Sequence, residues 1–153
     1  MIAEKALFEF FTERIAAAMQ GTTLYNLELH DTVYRSIKTD RGLRIGTAVR
    51  TLAPANDDLR KELDARLPLA VFSRVLGVDK PEGRLAALES VIEIASAVCQ
   101  ELENFANLGD RVCDTFIEPE VPVDFDTINS DVFAVAEIWV IVNPTGKTYA
   151  GNN

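Results

Sequence analysis

The residues of this chain whose side chains could do chemistry are few and scattered. A single histidine, His30, is present among 153 residues. General base catalysis needs such a group within hydrogen-bond reach of a nucleophile. No Ser or Cys stands with it in a recognised elbow or triad context, and neither His-x-x-x-His nor Cys-x-x-Cys occurs. A lone histidine of this kind is expected to be structural. Glu118 and Glu120 could share acid and base work as a carboxylate pair, but Pro119 between them and Pro122 beyond them suit an edge-strand device instead. Asp124, Asp126, Asn129 and Asp131 offer oxygen donors to a cation, yet the central glycine and the twelfth-position glutamate of an EF-hand loop are missing. Gly146, Lys147 and Thr148 match the end of a phosphate-binding loop, but the glycine required five residues earlier is Ile141, inside an apolar run. Cys99 and Cys113 are expected as two free, buried thiols. The sequence therefore predicts no catalytic residue, no cofactor, no metal and no enzyme.

The elements around these residues are clearer than the chemistry. Residues 131–142 read Asp-Val-Phe-Ala-Val-Ala-Glu-Ile-Trp-Val-Ile-Val. Val132, Ala134, Ala136, Ile138, Val140 and Val142 share one face of a strand, and Phe133, Val135, Glu137, Trp139 and Ile141 share the other. Both faces are apolar except at Glu137, which predicts a central strand. Its partner is expected at 112–123, joined through 124–130. Residues 84–108 predict a long helix with Leu85, Leu88, Ile92, Ala95, Val98 or Cys99, Leu102 and Phe105 facing the core, ended by Gly109. Residues 2–20 predict a second helix, with Leu7, Phe8, Phe11, Ile15 and Ala18 or Met19 as its stripe and Gly21 as its stop.

Residues 42–52 alternate like one strand. Leu43, Ile45, Thr47, Val49 and Thr51 fall on one face, and Arg44, Gly46, Ala48 and Arg50 on the other. Residues 67–76 predict a buried strand with Pro68 among its first residues, and 77–83 a polar loop. A short helix is expected from Asn56 or Asp57 through Arg66, with Leu59 and Leu63 inward. Residues 22–38 fit either a strand or a weak helix, with extended structure preferred, and 39–42 a turn. One domain over 1–143 is expected, with 144–153 as a flexible tail.

Charge limits the partners. The formal net charge is −9, and between Asp110 and Val142 eight acids stand against Arg111 alone. Such a surface repels nucleic acid, whose binding depends on neutralised phosphates. No apolar run approaches the roughly 18 residues of a membrane span, and no secretory signal is visible. A cytoplasmic protein without membrane or specific nucleic-acid binding is expected.

The order of elements, over 2–142, resembles that of the tail terminator (tail completion) proteins of long-tailed bacteriophages. Leu67-Pro68-Leu69-Ala70-Val71 and the 132–142 run carry the similarity best. The resemblance implies an α+β fold with a mixed, mainly antiparallel sheet flanked by helices. It implies a homo-oligomeric ring, hexameric, that caps the tail tube and joins it to the head connector. Its partners would be its own copies, the tail tube protein and the connector proteins. Its location would be the host cytoplasm during assembly and then the tail-neck region of the virion. Ring closure needs contacts between different patches on neighbouring subunits, and Arg44 and Arg50 are the candidate bases for Glu118, Glu120, Asp124 and Asp126 of the next subunit. Two other readings stay open: a small acidic inhibitor or immunity-type protein that binds a basic partner, and a ligand-binding or enzymatic α+β domain.

Overall fold

The structure is a computed structural model that describes residues 2–33, 35–52 and 62–144. The chain runs α1 (Ala3–Ala17), β1 (Glu28–His30), β2 (Arg41–Ile45), β3 (Val49–Leu52), β4 (Glu62–Arg74), α2 (Pro81–Asn104), β5 (Asp114–Ile117), β6 (Val123–Ile128) and β7 (Asp131–Asn143). The strands form one sheet, parallel only between β1 and β2 and antiparallel elsewhere. The architecture is the expected α+β one.

Two long strands form the spine. β4 and β7, of 13 residues each, pair from Ala65 with Val142 to Arg74 with Phe133. Two short strands then lie end to end along each outer side, β3 and β2 against β4, and β5 and β6 against β7. Directly paired residues share a sheet face. Leu67, Leu69 and Val71 of β4 thus join Ala136, Ile138 and Val140 of β7 on the face that the helices cover, all fully buried. Burying side chains of this size contributes about 1.5–3 kcal/mol each. α1 contacts β1 and β2, while α2 contacts β4, β5 and β7. Among the described residues the opposite face carries no helix. We call it the open face.

Several expectations need correction. The 42–52 strand is two strands, β2 and β3. Ile45 pairs with Leu69 and Val49 with Arg66, so three residues of the outer chain span two of β4. This bulge reverses the alternation. Leu43 and Ile45 face the helices, Val49 and Thr51 face the open side, and Arg50 turns back under α1. Pro68 sits in the middle of β4, not at its start. Its carbonyl accepts the Gly46 N–H at 2.8 Å, so its missing N–H falls beside the bulge, where no ladder bond is lost.

Glu62 to Arg66, assigned to a short helix, belong to β4, and the remainder of that expected helix lies outside the described residues. The 112–123 partner strand is divided into β5 and β6 by the Glu118–Pro122 segment, and most of the supposed 124–130 loop is β6. Ile128 pairs with Asp131 across Asn129 and Ser130, whose positive φ values of 51° and 71° suit a two-residue hairpin turn. Within the 22–38 segment, turns over 22–26 lead into the three-residue β1, Glu28–His30.

The helices also differ in their limits and faces. α2 starts at Pro81, a residue favoured in a first helical turn because its missing N–H would find no partner there. Gly83 then lies against the Leu76 carbonyl, where a Cβ would collide. α2 buries Ala87, Val91, Ile94, Ala95, Val98 and Leu102. Leu85 and Ile92, expected inside, are exposed, Ile92 by 52%. Leu88 and Cys99 lie partly covered at the margin. The small side chains of Ala87 and Ala95 let the helix approach the sheet closely. It ends at Asn104, five residues before Gly109. α1 ends at Ala17, leaving Met19 exposed and Gly21 (φ 90°) in the following turn, and it buries Ala3, Ala6, Leu7, Phe10 and Phe11. Both cysteines are free, but Cys99 is half-buried and Cys113 is exposed rather than both buried.

Candidate functional site

The register divides the six expected contact residues. Arg44 pairs with Ala70, and Ala70 with Glu137, so Arg44 lies on the open face. Arg50 pairs with Ala65 on the helix-covered face. There it forms an ion pair with Glu4 of α1, whose other carboxylate oxygen accepts the Ala48 N–H at 3.1 Å. Glu4 therefore clamps the bulge. Burial pushes its pKa up, but the donors from Arg50 and Ala48 outweigh it, and the carboxyl lies below its ordinary 4.5. Arg44 and Arg50 do not form one basic patch.

The acids are divided too. Glu118 accepts two hydrogen bonds from the Arg66 guanidinium, at 2.5 Å from Nε and 3.0 Å from Nη2, and this pairing lowers its pKa. Glu120 is exposed. Asp124 and Asp126 lie on β6 at the sheet margin, each turned back to accept the N–H of the next residue, at 2.7 Å and 2.8 Å. Charged side chains along such an edge oppose pairing with another strand. Asp131 is taken by Arg74 at 2.5 Å. Among the described residues no group of three His, Cys, Asp or Glu side chains could hold a metal ion. The Gly146-Lys147-Thr148 motif lies outside the described residues.

The open face carries two arginines that the sequence reading passed over. Arg66 stacks 3.9 Å from the centroid of the Trp139 ring while it holds Glu118, and Trp139 donates its Nε1–H to Glu137 at 2.5 Å. Arg74 lies 4.8 Å from the Phe133 ring centroid and also holds Asp40 at 3.0 Å. These bases come from outside the 110–142 span, so that span is less charged in the fold than in the sequence. The one available signal was the alternation of Arg66, Pro68, Ala70, Phe72 and Arg74 along β4.

A cavity of about 410 Å³ opens on this face, with Phe72, Ala70 and Val135 as its floor and Arg44, Glu137 and Asp126 at its sides. His30 lines it and is buried. It is hydrogen-bonded to Glu28 and meets Phe72 edge-on with ring centroids 5.9 Å apart. Glu28 also accepts the backbone N–H groups of Lys38 and Thr39 and the Thr39 hydroxyl. Burial raises the Glu28 pKa, these donors and His30 lower it, and the net shift is downward. Glu28 thereby ties Lys38 and Thr39 to β1. Beyond the cavity, the open face exposes Val49 by 75% and Phe116 by 58%, in one cross-strand row with Arg66 and Ile141.

No family model matches this chain, and no curated protein matches its sequence. No helix among the described residues is long and apolar enough to cross a membrane.

Proposed function

We propose that this protein is a tail terminator subunit of a long-tailed bacteriophage, which closes into a homo-oligomeric ring, hexameric, on the end of the tail tube and joins it to the head connector. The observation that carries the reading is the uncovered face of the sheet. Both helices lie on one side, and the other exposes Val49 and Phe116 while leaving Trp139 and Ile141 half-covered. An apolar group of this kind on an uncovered sheet face marks a contact surface. The ion pairs on that face lock side chains in place rather than arrange a nucleophile, which favours assembly over catalysis. Assembly in the host cytoplasm and a final place in the tail neck follow from this reading.

Light scattering on the purified chain, followed by negative-stain imaging, tests it. A ring of uniform mass is expected, either alone or on addition of tail tubes. A monomer at high concentration, with and without tubes and connectors, would discard it. The acidic binding protein remains a second reading, supported by the exposed acids of β6. It predicts a stable monomer with salt-sensitive binding to a basic protein.

A further inference from the structure

Strands β2 and β4 bring Arg41 and Ser73 together on the helix-covered face. The two are direct partners across the strands, next in series after Ile45 with Leu69 and Leu43 with Val71. Those four residues are apolar and fully buried. A cation and a hydroxyl therefore end an apolar series, at the place where the first turns of α2 pass over the sheet. A cavity of about 630 Å³ opens there. Arg41 and Ser73 line it from the sheet, Ala86, Ala87 and Ser90 from α2, and Leu76 from the connection between them.

Ser73 is only 4% exposed, yet its hydroxyl has no hydrogen-bond partner among the described residues. Burying a hydroxyl without a partner costs free energy, and a molecule in the cavity can supply one. Arg41 is also underused. It donates from Nη2 to the Thr23 carbonyl at 2.5 Å and makes no ion pair with a described residue. A guanidinium presents several further N–H donors in a planar fork. The other charges around the cavity are offset. Arg74 is taken by Asp40 and Asp131, and exposed Lys80 and Glu82 balance each other at the rim. Arg41 is thus the cation of this lining with no acid of its own, in a chain of net charge −9.

We propose that this cavity binds a small organic monocarboxylate, with its carboxylate on the Arg41 guanidinium and the Ser73 hydroxyl and its apolar body along Leu76, Ala86 and Ala87. Directly paired strand residues hold their Cβ atoms about 4.5–5.5 Å apart, close enough for one carboxylate to meet both groups. The arginine fork matches the two oxygens of a carboxylate. One cation suits one negative charge, whereas a phosphate monoester would bring nearly two toward Asp40 and Glu82. The cavity volume falls within the usual range for small-molecule sites. The site lies on the opposite side of the sheet from Val49 and Phe116, so it does not depend on the ring reading.

Sodium hexanoate is the probe, titrated into the full chain and followed by calorimetry and backbone amide NMR shifts. Saturable one-to-one binding is expected, with shifts centred on Arg41, Ser73 and Ala87. Hexanamide, the neutral counterpart, should bind at least about tenfold more weakly, because the charge-assisted hydrogen bonds are lost. Hexyl phosphate should bind more weakly than hexanoate. Arg41→Gln should weaken hexanoate at least about tenfold and Ser73→Ala about threefold. Arg41→Gln also alters the Thr23 contact, so Ala86→Leu serves if it fails to fold. That position is exposed on α2, and the larger side chain should weaken binding by narrowing the cavity. Absence of saturable binding at millimolar hexanoate, equal affinity for hexanamide, or shifts centred away from Arg41 and Ser73 would overturn the proposal. So would unchanged affinity in a folded Arg41→Gln or Ala86→Leu protein. Tighter binding of hexyl phosphate would overturn the choice of a monocarboxylate.

Discussion

Strand β7 and the β2–β3 pair are nearly equal in length, and both alternate apolar residues with others, yet they behave differently. β7 runs unbroken through 13 residues against β4, and its even-numbered residues from Ala134 to Val142 all reach the helices. β2 and β3 lose the alternation between Ile45 and Val49. A β7 residue has β4 on one side and β5 or β6 on the other, and the bonds from both sides hold its register. The outer chain has β4 on one side, and over β3 no strand beyond it among the described residues, so an extra residue at Gly46–Ala48 costs few ladder bonds. Glu4 supplies replacement partners for the bulge. Alternation therefore reports a face only while the ladder continues.

The largest effect expected from this contrast is in the spine. Ile138→Ala should destabilise the protein by about 2–5 kcal/mol, the range for emptying a packed aliphatic site. Leu102→Ala on α2 belongs to the same range, whereas Ile92→Ala should stay within about 0.5 kcal/mol in the monomer. Denaturant unfolding of the three variants would measure this. A large loss at Ile92 would mean that α2 docks by the face its larger side chains suggest.

The next effect tests the bulge itself. A Cβ on Gly46 would lie 2.6 Å from Pro68 Cγ and 2.7 Å from the Pro68 carbonyl oxygen. Neither atom can move far, since Pro68 is locked in β4. Gly46→Ala should cost about 1–3 kcal/mol, as overpacking does. Thermal unfolding beside a Thr47→Ala control, whose side chain is exposed, separates the two. Equal stability would show that the strand can slide into regular register.

These positions also show what was legible in the sequence. Strand β7, the part of β4 from Leu67 onward, the two helices and the α+β class followed from patterning, because many apolar residues at one period outvote any single exception. The two faces of β7 divide as the alternation predicts, but which of them the helices cover was not legible, since both are apolar, and Trp139 lies half-covered on the open one. The bulge was not legible, since nothing local distinguishes Gly46-Thr47-Ala48 from a strand with small residues. The residue that clamps it is Glu4, 42 residues before Gly46 in the sequence. The same loss affected the expected contact residues. Arg44 and Arg50 differ by an even number and were read as sharing a face. Glu118 was read without Arg66, whose partner is set by register across 52 residues. For α2 two adjacent apolar stripes compete: the expected one holds at Ala95, Val98 and Leu102, and side-chain size misled at Leu85, Ile92 and Phe105, which are exposed while Ala87, Val91 and Ile94 are buried.

Acid should weaken the bulge clamp. Glu4 has a folded pKa below its ordinary 4.5. Its contribution is therefore present above about pH 4.5 and is lost as pH falls through the folded value. Glu28, lowered in the same way, adds to this dependence at the β1 end. Glu4→Gln should cost about 1 kcal/mol at neutral pH, the usual net value for a hydrogen-bonded group, and should flatten the acid limb of the stability profile. Denaturant midpoints measured from pH 7 down to pH 3 would show it. An unchanged limb would mean that Glu4 does not hold Arg50 in solution.

The smallest effect is the sharpest test of the reversed alternation. Val49 has the same parity as the fully buried Leu43 and Ile45, and regular pairing would bury it with them. Behind the bulge it pairs with Arg66 on the open face and is 75% exposed. Val49→Ala should therefore change the stability of the dilute chain by less than about 0.5 kcal/mol, where Leu43→Ala should cost about 2–5 kcal/mol. A loss of more than about 1 kcal/mol at Val49, beyond ordinary surface changes, would mean the alternation is regular and the bulge absent. Assembly adds a second reading of the same variant. If dilute stability is unchanged but the ring weakens, the open face is covered by another molecule. If neither moves, the exposed row from Val49 to Phe116 faces solvent in the assembled state, and contacts between copies lie elsewhere.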